Sequence, residues 1–391
     1  MLELSRALVA QGLAVDLLVG GTEGELKQEI PEQVAVVEMK SAAAWRVRMW
    51  TLAADPGNFG LVMRRKMRPL KSLRLRCLPD LVGYIRRARP DAVLASEAQY
   101  NLMAVWARRL AGHDCRLVLS EHIQASRHAI YATPWGQPQL LPLLRCAYLK
   151  ADAIVAVSDG VADDLAAHAD IPRQRITTVY NPVVGPNLVA KAEQAPDHPW
   201  LAPGQPPVIL GVGRLHPQKD FATLIRAFAR LRAERRARLI ILGAAGPGSP
   251  GGAEELKALA AQLGIAEDVD MPGFDHNPFG YMSRAAVFAL SSIYEGLGNV
   301  LIEAMACGTP VVSTDCPSGP REILDHGRYG PLVPVGDDAA LAHAIEGMLD
   351  NPPAALSLRA RAELFTVERA VDNYLRLLFP AGENLPGRAV A

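Results

Sequence analysis

The sequence predicts an α/β protein made of two doubly wound domains, each built on a parallel sheet, with the two sheets facing a cleft. Three observations carry this expectation. Short apolar segments alternate with longer amphipathic ones along almost the whole chain. The short segments are apolar throughout, as strands covered on both faces must be. The alternation is interrupted once, at the Pro-rich "NPVVGPNLVAKAEQAPDHPWLAPGQPP", which has no clear period. These observations divide the chain into a first domain over residues 1–182, a linker over 183–206 and a second domain over 207–364. Residues 365–391 follow, as a helix over "TVERAVDNYLRLLF" that crosses back to the first domain, then a loose Pro- and Gly-containing tail.

The strand candidates of the first domain are "AVDLLVG", "DAVLAS", "RLVLS", "AIVAVS" and "ITTVY". Those of the second are "VILGVG", "RLIILG", "VFALSS" and "PVVST", separated by helices such as "DFATLIRAFARLRAERR" and "AEELKALAAQLG". One element is out of pattern. A parallel α/β domain opens with a strand, but this chain opens with the helix "LELSRALVAQG", so the first strand and its turn are missing from the pattern. In doubly wound sheets ligands bind at the carboxyl ends of the strands, here in the expected cleft between domains.

Composition excludes several classes. The 391 residues are 50% apolar and 21% charged, which describes an ordinary globular enzyme. No apolar run reaches the length needed to cross a bilayer, and the opening helix lacks the basic flank and apolar block of a signal peptide. The five cysteines (Cys77, Cys115, Cys146, Cys307 and Cys316) are odd in number and form no CxxC pair, so they read as core thiols in a reducing, cytoplasmic compartment.

The richest stretch is "YEGLGNVLIEAMACGTPVVST", residues 294–314. The strand before it delivers Tyr294 and Glu295. Gly296, Leu297, Gly298 and Asn299 then turn the chain into a helix that begins near Val300 and is stopped by Gly308 and Pro310. Such a turn leaves backbone N–H groups at a helix N-terminus for a phosphate-bearing group, and its glycines admit close approach. Glu303, one turn into the helix, is placed to accept both hydroxyls of a ribose, and Glu295 to hold hydroxyls of a sugar. Positive charge comes from "VILGVGRLHPQKDF", where Arg214 and Lys219 follow a strand and can neutralise a diphosphate without a metal. "GVGR" does not complete GxGxxG, and no GxxxxGK[ST] occurs, which weakens the oxidoreductase and P-loop readings. Asp268-Val-Asp270 matches a metal-binding Asp-x-Asp on paper, but reads as a turn entering a short strand. Phe274 either flanks a nucleotide base or packs. In the first domain "LVLSEHIQASRH" sets Ser120, Glu121 and His122 just after a strand, with Arg127 beyond.

These motifs resemble glycosyltransferase family 4, retaining enzymes of the GT-B fold with two Rossmann-like domains. The resemblance rests on "GRLHPQKDFATLIRAF", "EGLGNVLIEAMACGTPVVSTDCPSGPREIL", "GRYGPLVPVGD", "AIVAVSDGV" and "ITTVYNPV", and is densest between Gly211 and Asp337. "DCPSGPREIL" is most similar to the subgroup that builds lipopolysaccharide cores, capsules and O-antigens. The resemblance implies a metal-independent transfer from a nucleotide sugar, with a UDP-hexose or UDP-N-acetylhexosamine as the expected donor and a membrane glycolipid as acceptor. It implies that Glu295 contacts the donor sugar, that Glu303 contacts the ribose, and that Arg214 and Lys219 contact the diphosphate. His122 is implied near the reacting centre. The acceptor set is then Glu121, His122 and Arg127. The donor set is Arg214, Lys219, Phe274, Glu295, Gly296, Leu297, Gly298, Asn299, Val300 and Glu303. No cofactor and no metal are expected. The missing strand leaves a second reading open, a shortened protein that binds nucleotide sugars without turnover.

Charge adds a partner. Between Arg46 and Arg89 stand twelve Lys or Arg against Asp55 and Asp80, in a chain whose net charge is zero. The segment, with the tryptophans of "AWRVRMW" and the run "VMRRKMRPLKSLRLR", reads either as a solvated helical face or as a patch resting on an anionic membrane. No nucleic-acid-binding motif accompanies it, and nucleic acid is not an expected partner. The expected location is peripheral, on the inner face of the cytoplasmic membrane.

Overall fold

A computed structural model describes residues 1–21, 30–58, 75–127, 140–245, 252–380 and 387–391. Most of the run "VMRRKMRPLKSLRLR", and residues 246–251 of the loop after "RLIILG", lie outside the described residues. The chain divides into two compact units, Met1–Pro182 with Val367–Ala391, and Val183–Thr366.

The strands of the first unit are β1 (Ala14–Val19), β2 (Ala35–Glu38), β3 (Ala92–Ser96), β4 (Arg116–Glu121), β5 (Ala153–Ala156) and β6 (Ile176–Thr178). The second unit contains β7 (Val208–Val212), β8 (Arg238–Leu242), β9 (Val269–Gly273), β10 (Val287–Leu290), β11 (Val311–Thr314) and β12 (Leu332–Val333), and β13 (Ala389–Val390) returns to the first. Helices in the first unit are α1 (Leu2–Ala10), α2 (Ala44–Ala54), α3 (Leu78–Ala88), α4 (Ala98–Ala111), α5 (Leu140–Tyr148) and α6 (Asp159–Ala169). The second unit has α7 (Pro186–Glu193), α8 (Phe221–Glu234), α9 (Gly252–Gln262), α10 (Pro278–Met282), α11 (Asn299–Cys307), α12 (Pro320–Ile323), α13 (Asp338–Asp350) and α14 (Ala355–Ala362). Helix α15 (Val367–Leu378) belongs to the first unit.

The second unit is a six-stranded parallel sheet in the order β12-β11-β10-β7-β8-β9, the doubly wound order with its switch point between β7 and β10. Its strands are apolar because helices cover both faces. Ile209, Leu239, Ile241, Val287 and Val312 are fully buried beside Leu224, Phe228 and Leu341 from α8 and α13. Within the Pro-rich stretch read as a linker, Pro186 opens α7, a position where its missing N–H costs nothing. Asn277 Nδ2 bonds the Lys191 carbonyl and Ser283 Oγ the Ala192 carbonyl, so the stretch packs as part of this unit.

The first unit is a seven-stranded parallel sheet in the order β2-β1-β13-β3-β4-β5-β6. The position between β1 and β3 that an opening strand takes in a doubly wound sheet is held by the C-terminal residues. The tail expected to be loose is therefore, over residues 387–391, an ordered part of the sheet. Asp91 fixes it, accepting from the Ala389 N–H at 2.8 Å and from Arg388 at 2.6 Å, while Ala389 and Val390 pair with Ala14 and Val15. Beyond Ala391 lies a cavity of about 780 Å³, lined by Asp16–Gly21 and Val93–Ser96 from the two flanking strands and by Met1 and Leu4 from the chain start. Helix α15 spaces Val367, Ala370, Val371, Tyr374 and Leu378 along one face, which packs with Leu4 and Leu8 of α1 against the sheet.

Candidate active site

In the second unit the loops after β7 and β10 are stitched together at the carboxyl ends of their strands. Pro217–Lys219 form one 3₁₀ turn, held by the His216 ring accepting from the Gln218 N–H at 3.1 Å. Asp220 follows and caps α8 by accepting from the Thr223 N–H at 3.3 Å, while the Thr223 hydroxyl donates to its other oxygen at 2.6 Å. Across from this turn, Ser291 Oγ donates to the Lys219 carbonyl at 2.7 Å, and Gln218 Nε2 donates to the Tyr294 carbonyl at 2.9 Å. These bonds fix the main chain under two charged side chains. Lys219 Nζ lies 2.6 Å from Glu295 Oε1, and Ser292 Oγ donates to that same oxygen at 2.6 Å.

The Gly-rich turn comes next. Gly298 is left-handed (φ 97°) and stands at the N-cap of α11, where it supplies no side-chain cap to the first N–H groups. Gly319 (φ 90°) lies so close to the turn that a Cβ there would sit 1.8 Å from the Leu297 carbonyl oxygen. Asn299 is exposed at the helix start, whereas Gly296, Leu297 and Gly298 are buried. Glu303 follows one turn into α11. Burial pushes its carboxyl up to about 7, and the Lys219 ammonium opposes that push. Gly308, left-handed at φ 86°, ends the helix.

Lys219, Glu295 and Glu303 are thus brought into one electrostatic group. Arg214 is exposed on the loop between β7 and the Lys219 turn. Phe274, beyond the end of β9, is 47% exposed and meets the edge of His276 in a ring contact, with centroids 4.9 Å apart. Asp268 and Asp270 are engaged elsewhere, Asp268 with Arg232 and Arg238, and Asp270 with His198 at 3.0 Å. Among the described residues no group of three His, Cys, Asp or Glu side chains is placed to hold a metal.

In the first unit β4 ends with Ser120 and Glu121, and His122 follows. Glu121 was expected to face an acceptor, but its carboxylate turns into the protein. It accepts from Asn101 Nδ2 at 3.0 Å and from the Tyr148 hydroxyl, and burial pushes it up to about 7 against the pull of those bonds. With 3% exposure it supports the end of β4 from behind. His122 is partly buried, its Nε2 is 3.1 Å from Ser120 Oγ, and burial holds its ring at about 4. Ser120 Oγ also lies 3.1 Å from the Tyr374 hydroxyl of α15. Arg127 is helical, in the stretch over residues 125–127, and is half-buried. Sequence reasoning missed Ser292, Asn101, Tyr148 and Tyr374. The first is legible as a polar residue ending an apolar strand, but the others lie too far along the chain to announce themselves.

Comparison with known proteins matches both halves of the chain to transferase families. Residues 1–184 match the model for Glycosyltransferase Family 4, and residues 194–365 the model for Glycosyl transferases group 1. The chain is 34% identical to the N-acetylgalactosamine-N,N'-diacetylbacillosaminyl-diphospho-undecaprenol 4-alpha-N-acetylgalactosaminyltransferase of Campylobacter jejuni, over 67% of this chain and 68% of that protein. It is 31% identical to the lipopolysaccharide core biosynthesis glycosyltransferase LpsE of Rhizobium meliloti, over 60% and 66% of the two chains. The match thus spans about two thirds of the length of these relatives. Among solved structures, Anabaena HepE in complex with UDP and glucose superposes with a TM-score of 0.73 at 20% identity, covering 97% of this chain and 95% of that one. Sucrose-phosphate synthase from Thermosynechococcus elongatus gives 0.74 at 22% identity, covering 97% and 92%. Two parallel Rossmann-like units, matched over both halves and by relatives above 30% identity, make this chain a member of glycosyltransferase family 4, with the GT-B fold.

Proposed function

We propose that the protein is a retaining, metal-independent glycosyltransferase that moves a hexose or N-acetylhexosamine from a UDP-sugar to a membrane glycolipid, in the synthesis of lipopolysaccharide or a related surface polysaccharide. The observation that carries this reading is the Lys219–Glu295 pair beside Glu303 at the uncapped start of α11. The two relatives named above, one acting on a diphospho-undecaprenol-linked sugar and one in lipopolysaccharide core biosynthesis, support the acceptor class.

In this mechanism the donor's bond between anomeric carbon and diphosphate oxygen breaks as the acceptor oxygen bonds the same face of that carbon. The departing diphosphate oxygen takes the acceptor's proton. The transition state carries positive charge on the sugar and negative charge on the leaving group, so the protein supplies fixed charge rather than a nucleophile. Lys219 and Arg214 stabilise the leaving diphosphate, with the N–H groups from Gly296 to Val300 around it. Glu303 accepts from the ribose hydroxyls, Glu295 from the sugar, and Phe274 flanks the base. On the first unit His122 and Arg127 meet the acceptor.

A membrane-facing role rests on α2, where Trp45 (69% exposed) and Met49 (60% exposed) stand one turn apart with Arg46 and Arg48 between them. Exposed apolar and basic side chains at that spacing suit the interface of an anionic bilayer. No helix among the described residues is long and apolar enough to cross a membrane.

One competing reading is a protein that binds nucleotide sugars without transferring them. The test is a radiolabelled UDP-sugar panel assayed with extracted bacterial glycolipid in EDTA. Label transferred with its anomeric configuration kept supports the proposal. Transfer only after Mg²⁺ or Mn²⁺ is added overturns metal independence, and donor binding without transfer to any acceptor favours the competing reading.

A further inference from the structure

We propose that Tyr374 is a positioning residue that fixes the tautomer of His122 through Ser120, so that the imidazole carries its proton on Nδ1. The inference deepens the transferase reading and rests on it only for the consequence to turnover. Three groups form a chain: the Tyr374 hydroxyl, Ser120 Oγ at 3.1 Å, and His122 Nε2 another 3.1 Å on. Ser120 and Tyr374 are 0% and 2% exposed, and Tyr374 packs with Val118, Val155, Val371 and Leu378, so both hydroxyls are shielded from bulk solvent.

The direction of the chain follows from the chemistry of the donors. A phenol is the more acidic hydroxyl, and Ser120 is the hydrogen-bond partner of Tyr374 among the described residues. If Tyr374 did not donate to Ser120, its O–H would lack an acceptor in an apolar core. The phenol therefore donates to Ser120 Oγ, whose own proton goes to His122 Nε2. That nitrogen is then the bare one. Burial keeps the ring neutral, so its single proton sits on Nδ1. His122 thereby offers a donor N–H to a sugar or acceptor oxygen rather than a lone pair to a proton. Helix α15, distant in sequence, decides which.

The tautomer is read directly by long-range proton–nitrogen correlation on full-length protein labelled with ¹⁵N-histidine at neutral pH, with His122→Gln assigning the signal. Wild type is expected to show a protonated Nδ1 and a bare Nε2. Tyr374→Phe frees Ser120 Oγ to accept, and is expected to move His122 toward the Nε2–H form while kcat falls about tenfold and donor KM holds. Ser120→Ala, which cuts the chain at its centre, gives an independent second variant should Tyr374→Phe fold poorly, and is expected to lose the single-tautomer signature. An Nε2–H tautomer in wild type overturns the proposal, as does an unchanged His122 pattern in both variants. A tautomer that shifts with undiminished turnover upholds the relay and removes His122 from the transfer step instead.

Discussion

Lys219 Nζ and Glu295 Oε1 are 2.6 Å apart across 76 residues of chain, and Ser292 Oγ binds the same carboxylate oxygen. Both side chains are largely shielded, at 13% and 8% exposure, so each leaves the other uncompensated when it is removed. Lys219→Met is expected to lower thermal stability by ~3 kcal/mol and transfer kcat by ~10²–10³, the latter from losing charge on the leaving diphosphate. Glu295→Gln keeps the neutral bond from Ser292 and is expected to cost about 1–2 kcal/mol. The double variant separates structure from chemistry. If the pair is mutual, combining the substitutions recovers part of the stability but none of the activity, a non-additivity measured by a double-mutant cycle in thermal melts and initial rates. Additive losses in both would mean the two side chains act separately.

Glu303 supplies a pH dependence whose sign is fixed. Its folded carboxyl is raised to about 7 from an ordinary 4.5 by burial, so the native state holds a proton there that the unfolded state has released. This stabilisation is complete below about 4.5 and is lost as pH rises through 7. Donor binding runs the other way, because the ionised carboxylate is the better acceptor for two ribose hydroxyls. A UDP-sugar carries a diphosphate diester that does not titrate near neutrality, so its affinity should rise between pH 6 and 8 on account of Glu303. Isothermal titration across that range checks this, with Glu303→Gln expected to flatten the curve and bind several-fold more weakly at pH 8. A slope that persists in the variant would assign the titration to another group.

Gly319 sets the position of the Gly-rich turn from outside it. At φ 90° and with the Leu297 carbonyl oxygen 1.8 Å from where a Cβ would stand, it tolerates no side chain without displacing the backbone of the turn. Gly319→Ala is expected to destabilise the second unit by ~2–3 kcal/mol and to weaken UDP-sugar binding at least tenfold. Denaturant unfolding and the same titration measure the two effects. Unchanged donor affinity at reduced stability would show that the turn does not touch the donor.

Much of this arrangement is legible in the sequence, for a physical reason. The loops that carry Lys219 and Glu295 and the helix that carries Glu303 follow apolar strands, and Gly298 and Gly308 mark where α11 must begin and end, so local spacing brings the charged groups to one end of the sheet. What local spacing cannot show is which way a polar side chain turns at a strand end. Glu121 and His122 are adjacent, yet Glu121 is claimed by Asn101 and Tyr148 from α4 and α5, whereas His122 is bonded through Ser120. Those partners lie on helices distant in the chain, and only packing reveals them. The strand β2 escapes notice because three of its four residues are exposed at a sheet edge, so burial puts little apolar pattern on it. β13 escapes because two residues carry no period at all.

The C-terminal strand makes the sharpest test of how the first sheet holds together. Asp91 accepts the Ala389 N–H and the Arg388 guanidinium, and these bonds, the first above all, hold its carboxyl below the usual carboxylate range. A depressed acid stabilises the fold above its unfolded value of 3.8 and loses that contribution as pH falls through the lower folded one. Asp91→Ala removes both bonds and is expected to cost ~1–3 kcal/mol. Deleting residues 387–391 also removes the pairing of Ala389 and Val390 with β1 and the bond from Leu94 N to the Ala391 carbonyl, and is expected to cost more. Amide hydrogen exchange locates the damage. Faster exchange confined to β1 and β3, with β8 and β11 of the second unit unaffected, shows that the tail closes the first sheet. Equal protection with and without the last five residues would show that it merely rests in the gap, and that β1 and β3 hold their places through α1 and α15 instead.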